Sequence, residues 1–156
     1  MEVIVADYAG FCFGVARAVR KAMQAPKPVA SLGPLIHNRQ VVEQLAGEGV
    51  TPVTSVEEVE SGRILIRSHG VTPEILARAG EKGLEIIDAT CPYVARAQRL
   101  ARKLAGDGYQ VVIVGDPGHP EVKGLLGWAG SGAVVVPDKE AAKALPFHRR
   151  RALLAQ

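Results

Sequence analysis

The pattern that decides the fold of this chain is clearest in Val111-Val112-Ile113-Val114-Gly115-Asp116-Pro117-Gly118-His119-Pro120-Glu121. The run of β-branched residues predicts a short buried strand, and the turn rich in glycine and proline ends it. Pro120 suits the first position of a helix, so a helix is predicted to begin directly after His119. The stretch therefore predicts a strand, a turn and a helix, with a histidine at the carboxyl end of the strand.

The same arrangement recurs at other places along the chain. Short apolar runs at 3–6, 29–32, 64–66 and 85–87 each precede a residue able to bind a metal or a phosphate, and then a segment of helical period. The residues that follow these runs are Cys12, His37, His69 and Cys91. In an open parallel sheet the carboxyl ends of the strands line one crevice, so we expect these residues and His119 to converge on a common site.

Alternation of strands and helices places the chain in the α/β class. Helices are predicted near 14–23, 39–47, from Pro73, and at 92–104, 121–129 and 139–145, and further strands at 110–114, 133–136 and 152–156. We expect two similar lobes, 1–91 and 92–156, each a small, mostly parallel sheet covered by helices. The second lobe is expected to be incomplete, because parallel strands are normally covered on both faces and no helix follows 152–156.

Composition argues against several classes of protein. The 156 residues carry a net charge of +3 and a pI near 9.0, but acidic and basic residues are interspersed and only 148–151 form a positive run, so nucleic-acid binding is not expected. No apolar stretch approaches the roughly 18 residues of a membrane span, and no signal core begins the chain, so we expect a cytoplasmic protein. Two cysteines in a reducing compartment are better interpreted as thiolates or packing residues than as a disulfide.

Both cysteines are predicted to lie at the start of a helix. There the exposed backbone N–H groups and the helix dipole favour the thiolate, which is the form that binds metals. Taken alone, Cys12 or Cys91 is better explained as a small buried apolar residue. Their matching positions favour a metal-binding role.

The histidines indicate an anion site. A single histidine at a loop is commonly a polar loop residue or a helix cap, but imidazoles at three strand ends, beside helix N-termini, suit a phosphate or a diphosphate. His148 follows no comparable strand and is expected at the surface. Glu121, just after His119, is either a proton carrier, if burial raises its pKa, or a first-turn acid that interacts with the helix dipole.

These segments resemble the signature segments of the LytB/IspH family of 4-hydroxy-3-methylbut-2-enyl diphosphate reductases, in the same order and spacing. The segments are Gly10-Phe11-Cys12-Phe13-Gly14-Val15, His37-Asn38-Arg39-Gln40-Val41-Val42, Ser68-His69-Gly70-Val71, Asp88-Ala89-Thr90-Cys91-Pro92 and Gly118-His119-Pro120-Glu121-Val122. The resemblance implies an iron-sulfur oxidoreductase of the non-mevalonate pathway of isoprenoid biosynthesis. Such an enzyme removes the hydroxyl of an allylic diphosphate to give isopentenyl and dimethylallyl diphosphate, with ferredoxin or flavodoxin as electron donor.

The resemblance also implies a role for each candidate residue. Cys12 and Cys91 match the first two of three cysteines that hold a [4Fe-4S] cluster, whose remaining iron binds the substrate hydroxyl. Three residues match those that hold the diphosphate or neighbour the substrate: His37, His69 and His119. Glu121 matches the acid of a proton relay.

The chain departs from the family pattern at its end. The family's third cluster cysteine, its Ser-x-Asn phosphate-binding segment and a Thr-Thr pair have no counterpart in this sequence. Family members fold as a trefoil of three α/β lobes, so the sequence resembles the first lobe and most of the second and is expected to be a fragment. We expect the chain by itself to be inactive or feebly active.

Two alternatives belong to other classes of function. A non-redox diphosphate-binding α/β module would use the histidines and helix ends without a cluster. A structural zinc site would use Cys12, Cys91 and a histidine, although zinc sites usually take closely paired ligands such as Cys-x2-Cys, and the sequence has no such pair.

Overall fold

The computed structural model describes residues 2–7 and 9–156, and this part of the chain forms two parallel sheets flanked by helices. The first sheet contains β1 (Val29–Leu32), β2 (Val50–Val53), β3 (Arg63–Ile66) and β4 (Glu85–Asp88), in the order β2-β1-β3-β4. The second contains β5 (Gln110–Val114), β6 (Val134–Val136) and β7 (Arg151–Ala155), in the order β6-β5-β7. Neighbouring strands are parallel throughout both sheets, which confirms the predicted α/β class.

The helices lie where the sequence predicts them. They are α1 (Phe13–Gln24), α2 (Arg39–Gly47), α3 (Pro73–Glu81), α4 (Pro92–Gly106), α5 (Pro120–Ala129) and α6 (Lys139–Ala144), with a short 3-10 helix at Val56–Glu58. Local chemistry fixes the starts of several of them. Proline begins α3, α4 and α5, and the Asn38 side chain accepts a hydrogen bond from the backbone N–H of Val41 at the start of α2.

The strand predicted at 3–6 is wrong. Residues 2–6 form no regular structure, and Val3, Ile4 and Val5 are 72%, 86% and 73% exposed. A β-branched run becomes a strand only when a neighbouring strand accepts its backbone hydrogen bonds. None of the described strands pairs with this segment, so Cys12 does not follow a strand.

Strand β2 and the 3-10 helix were not predicted from the sequence. Pro52 interrupts the apolar run of β2, and proline in a strand is compatible only with an edge or a bulge. The structure places β2 at the edge of the first sheet, where its partner is β1 alone. The edge position explains how a proline-containing segment pairs at all.

Helices cover both faces of the first sheet, as expected for parallel strands. On one face α1 and α2 bury Ala18, Ala22 and Leu45 against Leu65. On the other face α3 and the 3-10 helix pack against Ile64 and Ile66. In the second sheet Val111 and Ile113 pack under α4 and α5 together with Ala101 and Leu125. Within the described residues, no helix is both long and apolar enough to cross a membrane.

The second sheet is joined to the first by close packing of α5 against the loop that follows β3. A Cβ atom added at Gly127 would lie 2.5 Å from the Cβ of Thr72, so only a glycine allows this approach. At Gly124 an added Cβ would lie 2.9 Å from Nε2 of Gln98. One turn further along α5, the indole N–H of Trp128 donates to the carbonyl of Val71 at 2.9 Å.

We predict that Gly127→Ala destabilises the protein even though alanine favours a helix. The gain in helix propensity is about 1 kcal/mol, whereas overpacking against Thr72 costs about 1–3 kcal/mol and also moves α5. Gly80→Ala is the matched control, because Gly80 also lies within a helix and an added Cβ there meets nothing within 4 Å. Thermal unfolding should show a lower Tm for Gly127→Ala and an unchanged or higher Tm for Gly80→Ala. Equal shifts in the two variants would contradict the close approach.

Candidate functional site

The three histidines singled out in the sequence meet at one place. His37 lies between β1 and α2, His69 follows β3, and His119 is the N-cap of α5. Their ring centroids are 4.5 Å apart for His37 and His69, 5.6 Å for His37 and His119, and 5.3 Å for His69 and His119. One ring nitrogen from each lies within 4.8 Å of the others. The structure thus brings together side chains from both sheets, as the sequence predicts, and we call them the histidine cluster.

His69 is the histidine most affected by its surroundings. Burial lowers its pKa from the ordinary 6.5 to about 4, and the positive charges of His37, Arg67 and His119 add to the effect. The ring is therefore neutral near pH 7 and carries one N–H donor. Its Nδ1 is buried and has no hydrogen-bond partner among the described residues.

One ring nitrogen of His119, Nδ1, already accepts a hydrogen bond from the backbone. The backbone N–H of Glu121 donates to Nδ1 of His119 at 3.2 Å, which caps α5. In the neutral ring the proton must then be on Nε2, which becomes a hydrogen-bond donor. A donor suits the oxygen of an anion, whereas a metal at Nε2 would require the opposite tautomer and the loss of the cap. The geometry of His119 therefore favours an anion over a metal at the histidine cluster.

Glu121 lies in the first turn of α5, immediately beyond His119, and is half-buried. Burial raises the pKa of its carboxyl group, and the neighbouring His119 opposes this only in part. A carboxyl with a raised pKa holds a proton nearer neutrality and can release it to a reacting group. Of the two interpretations open from the sequence, the direction of this shift favours the proton carrier.

The two cysteines lie at the starts of two helices, as predicted. Cys12 is the N-cap of α1 and is exposed, whereas Cys91 is the N-cap of α4 and is partly buried. A Cβ atom added at Gly14 would lie 2.5 Å from Sγ of Cys91, so this sulfur packs against the first turn of α1, directly beyond Cys12. The backbone N–H of Cys91 donates to the carbonyl of Ser68 at 2.8 Å, which ties it to the residue before His69.

A cavity of about 210 Å³ connects the loop of Cys12 with the histidine cluster. Its lining includes Phe11 and Val15 from around the start of α1, together with Ile36, His37 and His69. Phe11, the neighbour of Cys12 in the sequence, thus lies in one crevice with His37 and His69, whereas Cys12, Cys91 and His119 are not among the residues that line it. Aromatic side chains next to the cysteines are left open to solvent, with Phe13 and Tyr93 66% and 73% exposed.

Two basic residues that support this crevice were not identified from the sequence. Nη1 of Arg17 donates to the carbonyl of Thr90 at 2.9 Å, and Nζ of Lys21 donates to the carbonyl of Asp88 at 2.7 Å. Both fasten α1 to the segment that leads into Cys91. Their spacing of four residues, which places them on one face of a helix, is the sequence signal that could have revealed them. His148 is exposed and, among the described residues, forms hydrogen bonds only with Arg150, in agreement with the predicted surface position.

Together these features define an α/β protein in which three histidine rings converge and two thiols lie at helix N-termini. Comparison with known proteins agrees with this class. The family model described as LytB protein matches residues 3–156. A 4-hydroxy-3-methylbut-2-enyl diphosphate reductase from Syntrophotalea carbinolica is 44% identical over 160 residues, which cover 100% of this chain and 57% of that protein. The chain therefore belongs to the LytB protein family.

Solved structures show the same similarity. A structure of (E)-4-hydroxy-3-methyl-but-2-enyl diphosphate reductase, described as the terminal enzyme of the non-mevalonate pathway, superposes with a TM-score of 0.80 at 41% identity and covers 99% of this chain. The reductase from Plasmodium falciparum gives a TM-score of 0.90 at 27% identity and 96% coverage of this chain. The chain spans about half the length of these relatives, with 57% and 49% of the two solved chains matched.

We predict that His69 stays neutral well below pH 6 and that this makes the protein sensitive to acid. Between its ordinary pKa of 6.5 and its folded pKa of about 4, the unfolded chain binds a proton that the folded chain does not. Stability contributed by neutral His69 is therefore complete above pH 6.5 and is lost as the pH falls toward 4. Imidazole resonances followed by NMR should show the low pKa. Urea unfolding between these pH values should show a weaker dependence on pH for His69→Gln than for the native chain, and equal slopes would contradict the prediction.

Proposed function

We propose that this chain forms the part of a 4-hydroxy-3-methylbut-2-enyl diphosphate reductase that binds the substrate diphosphate and supplies two cysteine ligands of a [4Fe-4S] cluster. The observation that supports this most is the short link between Cys91 and the histidine cluster: the backbone N–H of Cys91 donates to the carbonyl of Ser68, the residue before His69. Membership of the LytB family supports the same assignment. The overall reaction replaces the allylic hydroxyl by hydrogen, consumes two electrons and two protons, and releases water with isopentenyl or dimethylallyl diphosphate.

In this proposal the diphosphate binds at the histidine cluster. Neutral His69 offers one N–H donor, and His119 offers the N–H of Nε2 because its Nδ1 accepts the hydrogen bond of the helix cap. The N-termini of α2 and α5, which begin beside His37 and His119, add the positive ends of their dipoles. Partial burial strengthens these donors by excluding competing water.

Glu121 is the proton donor in this proposal. It is placed beside the imidazole of His119, and burial raises its pKa. Proton transfer requires a donor within hydrogen-bond reach of the reacting group. In this proposal the carboxyl group of Glu121 is that donor, and it protonates the substrate as the hydroxyl leaves as water. The backbone N–H of Glu121 donates to Nδ1 of His119, so the donor of His119 is Nε2. Glu121 therefore has two roles, one through its carboxyl group and one through its backbone.

The thiols fit an iron-sulfur cluster on the evidence of their surroundings. Sγ of Cys91 lies against the bare Cα of Gly14, directly beyond Cys12, and each cysteine is the N-cap of a helix without a side-chain hydrogen bond to that helix. Soft thiolates suit iron-sulfur chemistry. When bound, the cluster would supply the electrons and a Lewis-acidic iron for the substrate oxygen.

Two thiolates are fewer than such a cluster ordinarily takes from its protein. The sequence contains two cysteines, so we expect the chain on its own to turn over substrate feebly or not at all. We further propose a cytoplasmic location and a ferredoxin or flavodoxin as the electron donor.

We predict that the metal-free chain binds inorganic diphosphate at the histidine cluster. His119→Asn removes the imidazole but leaves a good N-cap residue, so affinity should fall about tenfold while α5 remains formed. His148→Asn is the matched control, since His148 is an exposed histidine outside the cluster. Isothermal titration calorimetry measures the affinities. Equal affinity in the native chain and His119→Asn would place the anion elsewhere and contradict the proposed substrate site.

We predict that anaerobic reconstitution with iron and sulfide gives a brown chain, and that Cys12→Ser and Cys91→Ser each remove most of the colour and bound iron. Metal and sulfide analysis with visible absorption spectra provides the measurement. A chain that takes up zinc in preference and gives no colour would support the zinc site instead. Diphosphate binding without any cysteine-dependent iron would favour the non-redox module.

Turnover tests the remaining roles. Reconstituted native chain should reduce the allylic diphosphate far more slowly than a three-cysteine relative, and Glu121→Gln should abolish whatever rate remains without changing the iron content. A rate comparable with that of the relative would contradict the expected incompleteness. Loss of iron in Glu121→Gln would mean that Glu121 acts on the fold or the cluster instead of on a proton.

A further inference from the structure

A second cavity lies at the carboxyl edge of the first sheet, away from the histidine cluster. It has a volume of about 220 Å³, and its lining includes Arg67 at the end of β3, Gly33 at the end of β1 and Ser55 after β2. Ser68 and His69, which follow Arg67 directly, line the other cavity instead. The segment after β3 therefore contributes to two cavities, one through Arg67 and the other through His69.

We propose that this cavity is a binding site for a small anion with a short apolar tail, which pairs with Arg67. The cavity and its charge distribution are independent of the function proposed for the histidine cluster. The shared chemistry of the occupant is a phosphate or carboxylate head joined to a few carbon atoms.

The guanidinium of Arg67 lacks a counter-charge. Its Nε is buried without a hydrogen-bond partner, and within the part of the chain that the structure describes no carboxylate forms an ion pair with it. Burial lowers the pKa of Arg67, and no acidic group offsets this effect. The positive charge of Arg67 in turn helps to lower the pKa of His69. A partly buried and unpaired cation is costly, and an anion would remove that cost.

The acidic residues near the cavity are already engaged. Glu57, which lines the cavity, lies 3.3 Å from Nη1 of Arg78, and both of these side chains are more than half exposed. Glu58 accepts hydrogen bonds from the backbone N–H groups of Thr54 and Ser55. These pairings leave the charge of Arg67 free to act on a ligand.

The walls of the cavity fit both ends of such a ligand. Nη1 of Arg67 would lie 2.6 Å from a Cβ added at Gly33, so the guanidinium packs against bare backbone and is held in place. Thr54 and Ser55 form a polar wall beside it, although the Thr54 hydroxyl already donates to the Glu58 carboxylate and the Ser55 side chain belongs to a capping box with Glu58. Leu32, Val71 and Ile75 supply an apolar surface. Rigid placement of a guanidinium favours recognition of phosphate or carboxylate oxygens.

The test is titration of the ¹⁵N-labelled chain with isopentyl phosphate, followed by NMR. We expect saturable shifts of the amides of Gly33, Ser55 and Val71, and no such shifts with isopentanol, which has the tail without the charge. Isovalerate, the carboxylate analogue, separates the two head groups, and binding of either at these amides supports the site. Binding of neither would overturn it.

Two variants distinguish specific binding of the anion at Arg67 from nonspecific attraction of the anion to a basic protein. Arg67→Gln should weaken binding about tenfold or more and should raise the Tm, because it removes an uncompensated charge. Arg63→Gln is the matched control, since Arg63 is at the other end of the same strand and is paired with Glu85 at 2.6 Å. Its affinity should stay within about twofold of the native value. Equal weakening in the two variants would reduce the effect to net charge and overturn the proposal.

Two further variants locate the ligand. Ile75→Phe fills the apolar part of the cavity without changing charge and should also weaken binding of isopentyl phosphate. His37→Ala alters the histidine cluster and should leave the binding of isopentyl phosphate to the second cavity unchanged. Loss of the Gly33, Ser55 and Val71 shifts in His37→Ala would place the ligand at the cluster and reject the second site, whereas failure of diphosphate to bind the cluster would leave the second site unaffected.

Discussion

Close packing of α5 against the loop after β3 is the constraint on which the site depends. His37 and His69 come from the first sheet, and His119 comes from the second, so the three rings meet only if the two sheets keep a fixed relation. Gly127 allows α5 to reach Thr72, and Trp128 adds a directional hydrogen bond to Val71. A helix with ordinary side chains on this face would stand further away, and His119 would move with it.

Desolvation sets the electrical character of the crevice. Burial keeps His69 neutral and raises the pKa of Glu121, and in the neighbouring cavity it lowers the pKa of Arg67, whose charge has no ion-pair partner among the described residues. In each case burial disfavours the charged form, and only Glu121 has an opposite charge nearby, that of His119, which compensates in part.

The sequence predicted much of the fold because most strands and helices carry their own local signals. Proline at the start of α3, α4 and α5 and the β-branched run of β5 located those elements closely. The run at 3–6 carried the same signal but has no strand to pair with, and pairing depends on residues distant in the sequence. The convergence of the three histidines followed from parallel topology. The uncompensated charge of Arg67 depends on tertiary contacts that no local pattern contains. The spacing of Arg17 and Lys21 marks one face of a helix, but it does not show which backbone carbonyls that face meets.

Gly14 has a consequence for how sequences of this family can vary. Any other residue at this position would place its Cβ atom against Sγ of Cys91. The lack of a side chain at Gly14 therefore determines how closely the two turns that carry the thiols approach each other. A relative with alanine or serine at this position would have to widen the gap between the turns or turn the sulfur aside, and either adjustment would change the distance between the two sulfur atoms.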